Sequence, residues 1–126
     1  EHIPMSGYDA RVRSLSWSAG GQWLASSGAT QLVLWPFHGK DGPVGKTPRL
    51  LTPSDYRIDV VACHPRKAVV AAGYGNGFIL LTRIDNAIIL AKEPGNAAVT
   101  ALAWSADGLL LAWGTEGGEA GVIDVP

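Results

Sequence analysis

The chain is short of cysteine, of net charge and of long apolar runs, and each shortage removes a class of function. Its single cysteine, Cys63, rules out a disulfide within the chain and fits a reducing compartment, so a cytoplasmic location is expected. Ten Lys and Arg stand against eleven Asp and Glu, a formal charge of −1 with a pI of about 6.3. Cations scattered at that balance make no basic field for a phosphate backbone, and there is no acidic tail. Glycine or charge interrupts every apolar stretch before the roughly 18 residues that a membrane span needs, and no signal-peptide pattern opens the sequence. The expected partners therefore include neither nucleic acid nor membrane, and no cofactor is expected.

What the chain has in quantity is glycine, 16 residues of it, set between short apolar runs. Val12 to Trp35 reads VRSLSWSAGGQWLASSGATQLVLW: three runs parted by a turn at Ser18-Ala19-Gly20-Gly21 and another around Gly28-Ala29-Thr30. Such turns are too short for a helical crossover, so the runs read as antiparallel strands. The cadence returns in Ile58 to Thr82 and in Val99 to Ile123. Placing Trp17, Cys63 and Trp104 at one position gives spacings of 46 and 41 residues, and a small residue before the second turn recurs at Gly28, Gly73 and Gly114. A repeat of roughly 40–45 residues with about four strands is the signature of a propeller blade. The expected class is all-β, with about three four-stranded antiparallel blades at 7–52, 54–92 and 95–126. Residues 1–6 are expected as the outer strand of an adjacent blade.

VRSLSWSAGGQWLASSG and VTALAWSADGLLLAWGT resemble the strand-turn-strand core of the WD-repeat (WD40) family, with QLVLW as its third strand and Trp35 at the naming position. The resemblance covers almost the whole chain and is to the C-terminal part of a bacterial-type member, with the ending at Pro126 resembling a natural C-terminus. The family often has Gly-His where this chain has Gly7-Tyr8, Ser54-Asp55 and Gly95-Asn96. The turn Asp is replaced by Ala29 or Thr30, by Asn76 and near Gly117, and Trp is replaced by Thr82 and Ile123 in the later blades. No blade therefore carries the family's full buried network of His, Ser/Thr, Asp and Trp. The third blade lacks an outer strand, which family members commonly supply from the N-terminus.

A propeller typically closes with four to eight blades, so three leave the ring open. The strands Ala68–Ala72, Phe78–Leu81, Ala87–Ala91 and Leu109–Trp113 are almost continuously apolar, which implies sheets covered on both faces. The two end blades would then expose apolar faces that need covering. Self-association, or completion of the ring by another chain or an N-terminal portion, is expected, and the isolated chain is not expected to be a stable monomer.

Several stretches invite a chemical reading. Gly39 to Thr47, GKDGPVGKT, approaches a phosphate loop, but Gly39 is one residue too far from Gly45 and Pro48 and a strand follows instead of a helix. Cys63-His64 suggests a metal pair, yet strand neighbours point to opposite faces and no second pair completes a tetrahedral site. Ser14, Ser16, Ser18, Ser26 and Ser27 stand in no nucleophile-elbow pattern. Asp55 with Asp59, and Glu116 with Glu119, fall near turns and read as solvated charges. Trp17, Trp23, Trp104 and Trp113 read as blade packing. No catalytic residue and no metal ligand is assigned.

Recognition by a surface remains, with a protein or peptide as partner. The resemblance implies a rigid platform that binds on the face carrying the links into each inner strand. At matching positions that face presents Tyr8, Arg11 and Arg13 from blade one, Tyr56, Arg57, Asp59 and Tyr74 from blade two, and Thr100 and Glu116 from blade three. Tyr and Arg are enriched in hot spots because they bury area while keeping a polar handle. The alternative is the propeller portion of a hydrolase or peptidase with its catalytic domain elsewhere. Trp35 favours the scaffold.

Overall fold

The computed structural model describes residues 2–8, 11–39, 41–51, 54–84 and 88–125. Among them there is no α-helix, only eleven strands and one turn of 3-10 helix at Ala19–Gly21. Blade one is the sheet β1 (Leu15–Trp17), β2 (Trp23–Ser26), β3 (Leu32–Pro36) and β4 (Arg49–Leu51), paired in chain order. Blade two repeats the meander with β5 (Ile58–Cys63), β6 (Val69–Tyr74), β7 (Ile79–Arg83) and β8 (Ile88–Lys92). Blade three holds β9 (Val99–Trp104), β10 (Leu110–Thr115) and β11 (Ala120–Asp124), three strands without a fourth. Thr52, at the end of the expected first blade, and Ala87, which opens an expected apolar strand, lie outside the described residues.

Cross-strand register tests the repeat alignment directly. Trp17 pairs with Leu24, Cys63 with Val70 and Trp104 with Leu111, so the three do share one position. Trp35, Thr82 and Ile123 likewise stand opposite Leu24, Val70 and Leu111. One equivalence shifts. Gly73 and Gly114 lie three residues beyond Val70 and Leu111, and the residue three beyond Leu24 is Ser27, not Gly28.

The blades stack face to face. Ala25, Leu32 and Leu34 of blade one pack against Ile58, Val61, Val70, Ala72 and Tyr74 of blade two. The other face of blade two, with Val60, Ala71, Ile79 and Leu81, packs against Val99, Leu111 and the half-buried Leu102, Trp104 and Trp113 of blade three. Burial of each such aliphatic side chain contributes about 1.5–3 kcal/mol, and both faces of blade two are used. This is why β6 is buried along nearly its whole length while β10, covered on one face, is half-buried.

Inner strands touch inner strands. The Ser14 hydroxyl accepts from the Val61 N–H at 3.0 Å and donates to the Val61 carbonyl at 3.2 Å. Ser16 Oγ accepts from the Cys63 N–H at 2.9 Å, and the Trp104 indole N–H donates to the Ala62 carbonyl at 2.9 Å.

Residues 2–6 do not form the expected outer strand, because a strand needs a neighbouring edge and the sheet before blade one has no counterpart in this chain. Instead Met5 and Tyr8 pack against Leu24, Val33 and Trp35. Trp17, expected to be packed between blades, is 55% exposed for the same reason.

Candidate functional site

Arg13, Asp59 and Thr100 are separated by the same 46 and 41 residues as the repeat itself. In β5 the register skips from Ile58 to Val60, and in β9 from Val99 to Ala101, so Asp59 and Thr100 are each the extra residue of a β-bulge. A bulge bends its strand and re-aims the side chain it carries. Blade one reaches a related geometry by other means: the N–H groups of Arg13 and Ser14 both donate to Ser27 Oγ at 3.0 Å instead of to a ladder carbonyl. That contact also explains why β1 begins only at Leu15.

The three residues meet. A groove of about 440 Å³ where the inner strands converge is lined by Arg13 and Ser14, by Asp59, Val60 and Val61, and by Thr100, Ala101 and Leu102. Asp59 is only 7% exposed and was expected to be a solvated charge. Its carboxylate is instead held by the half-exposed Arg57, Nε to Oδ1 at 3.0 Å. Arg13 and Thr100 are exposed. The same Arg57 carbonyl accepts from the Gly75 N–H, and the Ala98 carbonyl accepts from the Glu116 N–H, so in blades two and three the entry link is tied to the blade's own second turn, whereas the second turn of blade one, at Gly28 and Ala29, bonds to Ile58 of blade two.

The remaining predicted surface residues divide. Arg11 and Glu116 are exposed, as is Tyr56, whose N–H donates to Ser54 Oγ. Tyr8 is half-buried, its hydroxyl accepting from the Trp35 indole N–H at 2.7 Å. It stands at the position where the resemblance led one to expect His, and it gives the Trp35 indole a hydrogen-bond acceptor. Tyr74 is a correction: it is fully buried in the packing between blades one and two, with its ring edge against Phe78, and presents nothing to a partner. Ser14 and Ser27, which shape the groove, could have been singled out only by knowing that their hydroxyls serve backbone groups.

The other chemical candidates are engaged structurally. Ser16 serves Cys63, Ser18 Oγ accepts from the Trp23 N–H, and Ser26 Oγ donates to the Ser27 carbonyl. Burial pushes the Cys63 thiol up, against a smaller opposing effect of its hydrogen bond with Ser16, so it is a poor nucleophile. The His64 ring accepts at Nδ1 from the N–H groups of Arg66 and Lys67 and donates from Nε2 to the Gly108 carbonyl at 3.0 Å, which occupies both nitrogens. In the glycine-rich loop, Lys46 Nζ donates to the His38 carbonyl and β4 follows, while Lys40 lies outside the described residues. A second cleft, of about 470 Å³, opens at the outer rim by Lys67, Leu81, Arg83 and Val125. It brings no repeat-equivalent bulge residues together.

Three stacked meanders in a repeating register, with Trp35 near the end of the third strand in the first, are the geometry against which comparison is informative. The family model described as the anaphase-promoting complex subunit 4 WD40 domain matches residues 61–126, more than half of the chain, and that described as WD domain, G-beta repeat, matches residues 2–35. The chain belongs to the WD40-repeat family. No curated protein matches it in sequence. WD40 repeats build propeller-type domains that mediate protein interactions, and the groove of this WD40 chain lies where its repeats present equivalent residues side by side.

Proposed function

We infer that this WD40 segment is a non-catalytic scaffold that binds a protein segment across the groove formed by Arg13, Asp59 and Thr100. The observation that carries the reading is their convergence: one repeat position, re-aimed by bulges in two blades, supplies three chemically different side chains to one concave surface. A stacking role would have favoured similar side chains at equivalent positions, as with the alanines of the sheet faces. The charges set the ligand's chemistry. Arg57 neutralises Asp59, which leaves Arg13 as the cation at the groove, so the favoured ligand is a peptide segment bearing a carboxylate.

Selection from a displayed peptide library against the purified chain tests this. The expected outcome is enrichment of acidic segments whose affinity falls about tenfold or more on Arg13→Ala and on Thr100→Glu, as for hot-spot positions, while Glu119→Ala leaves it unchanged. Selected peptides that bind all three variants equally would place recognition elsewhere.

A further inference from the structure

Two inner strands line the groove, β5 at Asp59, Val60 and Val61 and β9 at Thr100, Ala101 and Leu102, and their edges are finished differently. In an antiparallel ladder successive residues turn their N–H and C=O groups alternately towards the partner strand and away from it. The first turns fix the phase. His64 N–H bonds to the Val69 carbonyl and Ser105 N–H to the Leu110 carbonyl, so Ala62 and Ala103 also face their ladders, whereas Val61, Cys63, Leu102 and Trp104 turn away from the sheet. In β5 blade one caps these groups: the Ser14 hydroxyl takes both the N–H and the C=O of Val61, and Ser16 Oγ takes the N–H of Cys63. The positions that would cap β9 in the same way lie 46 residues beyond those serines and hold Val60 and Ala62, which carry no hydroxyl. Leu102 therefore presents its N–H and C=O together at the groove, and among the described residues neither has a partner; the Trp104 N–H beyond it is likewise without one. The cap comes from the preceding blade, which for β9 is blade two, and the following blade reaches a different group, as Trp104 does in bonding to the Ala62 carbonyl. The bare edge is thus a property of blades two and three alone.

We propose that the groove binds its peptide in extended form, as a strand added to the inner edge of β9 with Leu102 as the pairing residue. The proposal rests on the acidic-peptide reading above and adds the mode of binding. An unpaired strand edge is a template for another strand, and strand addition takes its affinity from main-chain bonds and its selectivity from the side chains that alternate along the added segment. Leu102 offers a donor and an acceptor side by side, which one residue of an antiparallel segment satisfies at once. The interior of a helical segment could not do so, because its own N–H and C=O groups are already bonded to each other. The edge of β5 is closed to the segment by Ser14, which leaves β9 as the edge it joins, and Arg13, lining the same groove, meets a carboxylate on one of its side chains.

The probe is the acidic peptide most enriched on the wild-type chain, resynthesised with each backbone amide in turn replaced by an ester, which keeps the shape of the chain and removes one N–H. Affinity is expected to fall about three- to tenfold, the worth of one hydrogen bond, and at alternate positions only. Hydrogen exchange of the protein's own amides, followed by NMR, is expected to slow at Leu102 when the unmodified peptide is added, while that of Ala103, bonded within its sheet, keeps its rate. Binding that depends on Arg13 yet is indifferent to every ester, losses at consecutive positions, or a Leu102 amide that exchanges as before overturns strand addition and leaves the acidic-peptide reading standing. Failure to enrich acidic peptides removes that reading, and the added strand falls with it.

Discussion

The first turn of each blade shows how one task is met by different side chains. Ser18 Oγ accepts from the Trp23 N–H, Ser105 Oγ accepts from the Leu110 N–H, and in blade two His64 Nδ1 accepts from Arg66 and Lys67. The alignment of His64-Pro65 with Ser18-Ala19 and Ser105-Ala106 was readable because turn residues keep their place in the repeat. In blade three the Ser105 hydroxyl also donates to Asp107 Oδ1 at 2.6 Å, and with the Leu109 N–H it holds the Asp107 carboxyl below the usual carboxylate range. The folded turn therefore favours the ionised form. Its support is present above the ordinary aspartate value and is lost as pH falls through the lowered one. Ser105→Ala is expected to move the Asp107 midpoint upward in an NMR titration of the side-chain carboxyl, and an unmoved midpoint would show that the hydroxyl does not set it.

At the scale of the element, the decisive feature is how an inner strand begins. Blades two and three use a bulge, whereas blade one uses Ser27, fully buried, whose hydroxyl takes the N–H groups of Arg13 and Ser14. Ser27→Ala would leave two strand-entry donors without their acceptor. A loss of about 1–3 kcal/mol is expected from leaving such groups unsatisfied, with faster hydrogen exchange at the Arg13 and Ser14 amides while those of β6 keep their protection. The strands themselves were legible to within a residue or two in blades two and three, because glycine turns bound apolar runs there. The bulges were not. A bulge is a mismatch between two strands, and nothing in Asp59 or Thr100 alone records how β6 or β10 is counted against them. That is why Asp59 read as a solvated charge, and why Tyr74, expected on the binding face, proved to be fully buried where it pairs with Ile58 beside the bulge.

For the molecule as a whole, stability rests on how closely the sheets approach. A Cβ on Gly73 would stand 2.7 Å from Cγ1 of both Val60 and Val99, so the blade two to blade three interface has no room for one methyl group. Gly73→Ala is expected to lower the melting temperature, at a cost of about 1–3 kcal/mol for overpacking, and Val99→Ala in the same chain should recover part of it. No recovery would mean that the loss arises from the backbone of β6 and not from the interface. The two ends of the stack belong to this scale as well. Leu15 and Trp17 at one end and Val122 at the other are exposed although their equivalents within the stack are covered, because packing of a face is a property of having a neighbour.

The sequence by itself determined the class, the repeat and the alignment of Trp17, Cys63 and Trp104, because strand length, turn chemistry and apolar periodicity are local and recur along the chain. Local spacing and strand geometry also set Gly39 to Thr47 and Cys63-His64 apart from the usual patterns of a phosphate loop and a metal pair. Only the tertiary structure decided which of the equivalent residues are buried, that Arg13, Asp59 and Thr100 share a groove, and that Tyr8 takes the hydrogen bond of Trp35. Those outcomes depend on register between strands and on which blade faces which, relations between segments dozens of residues apart that no local pattern encodes.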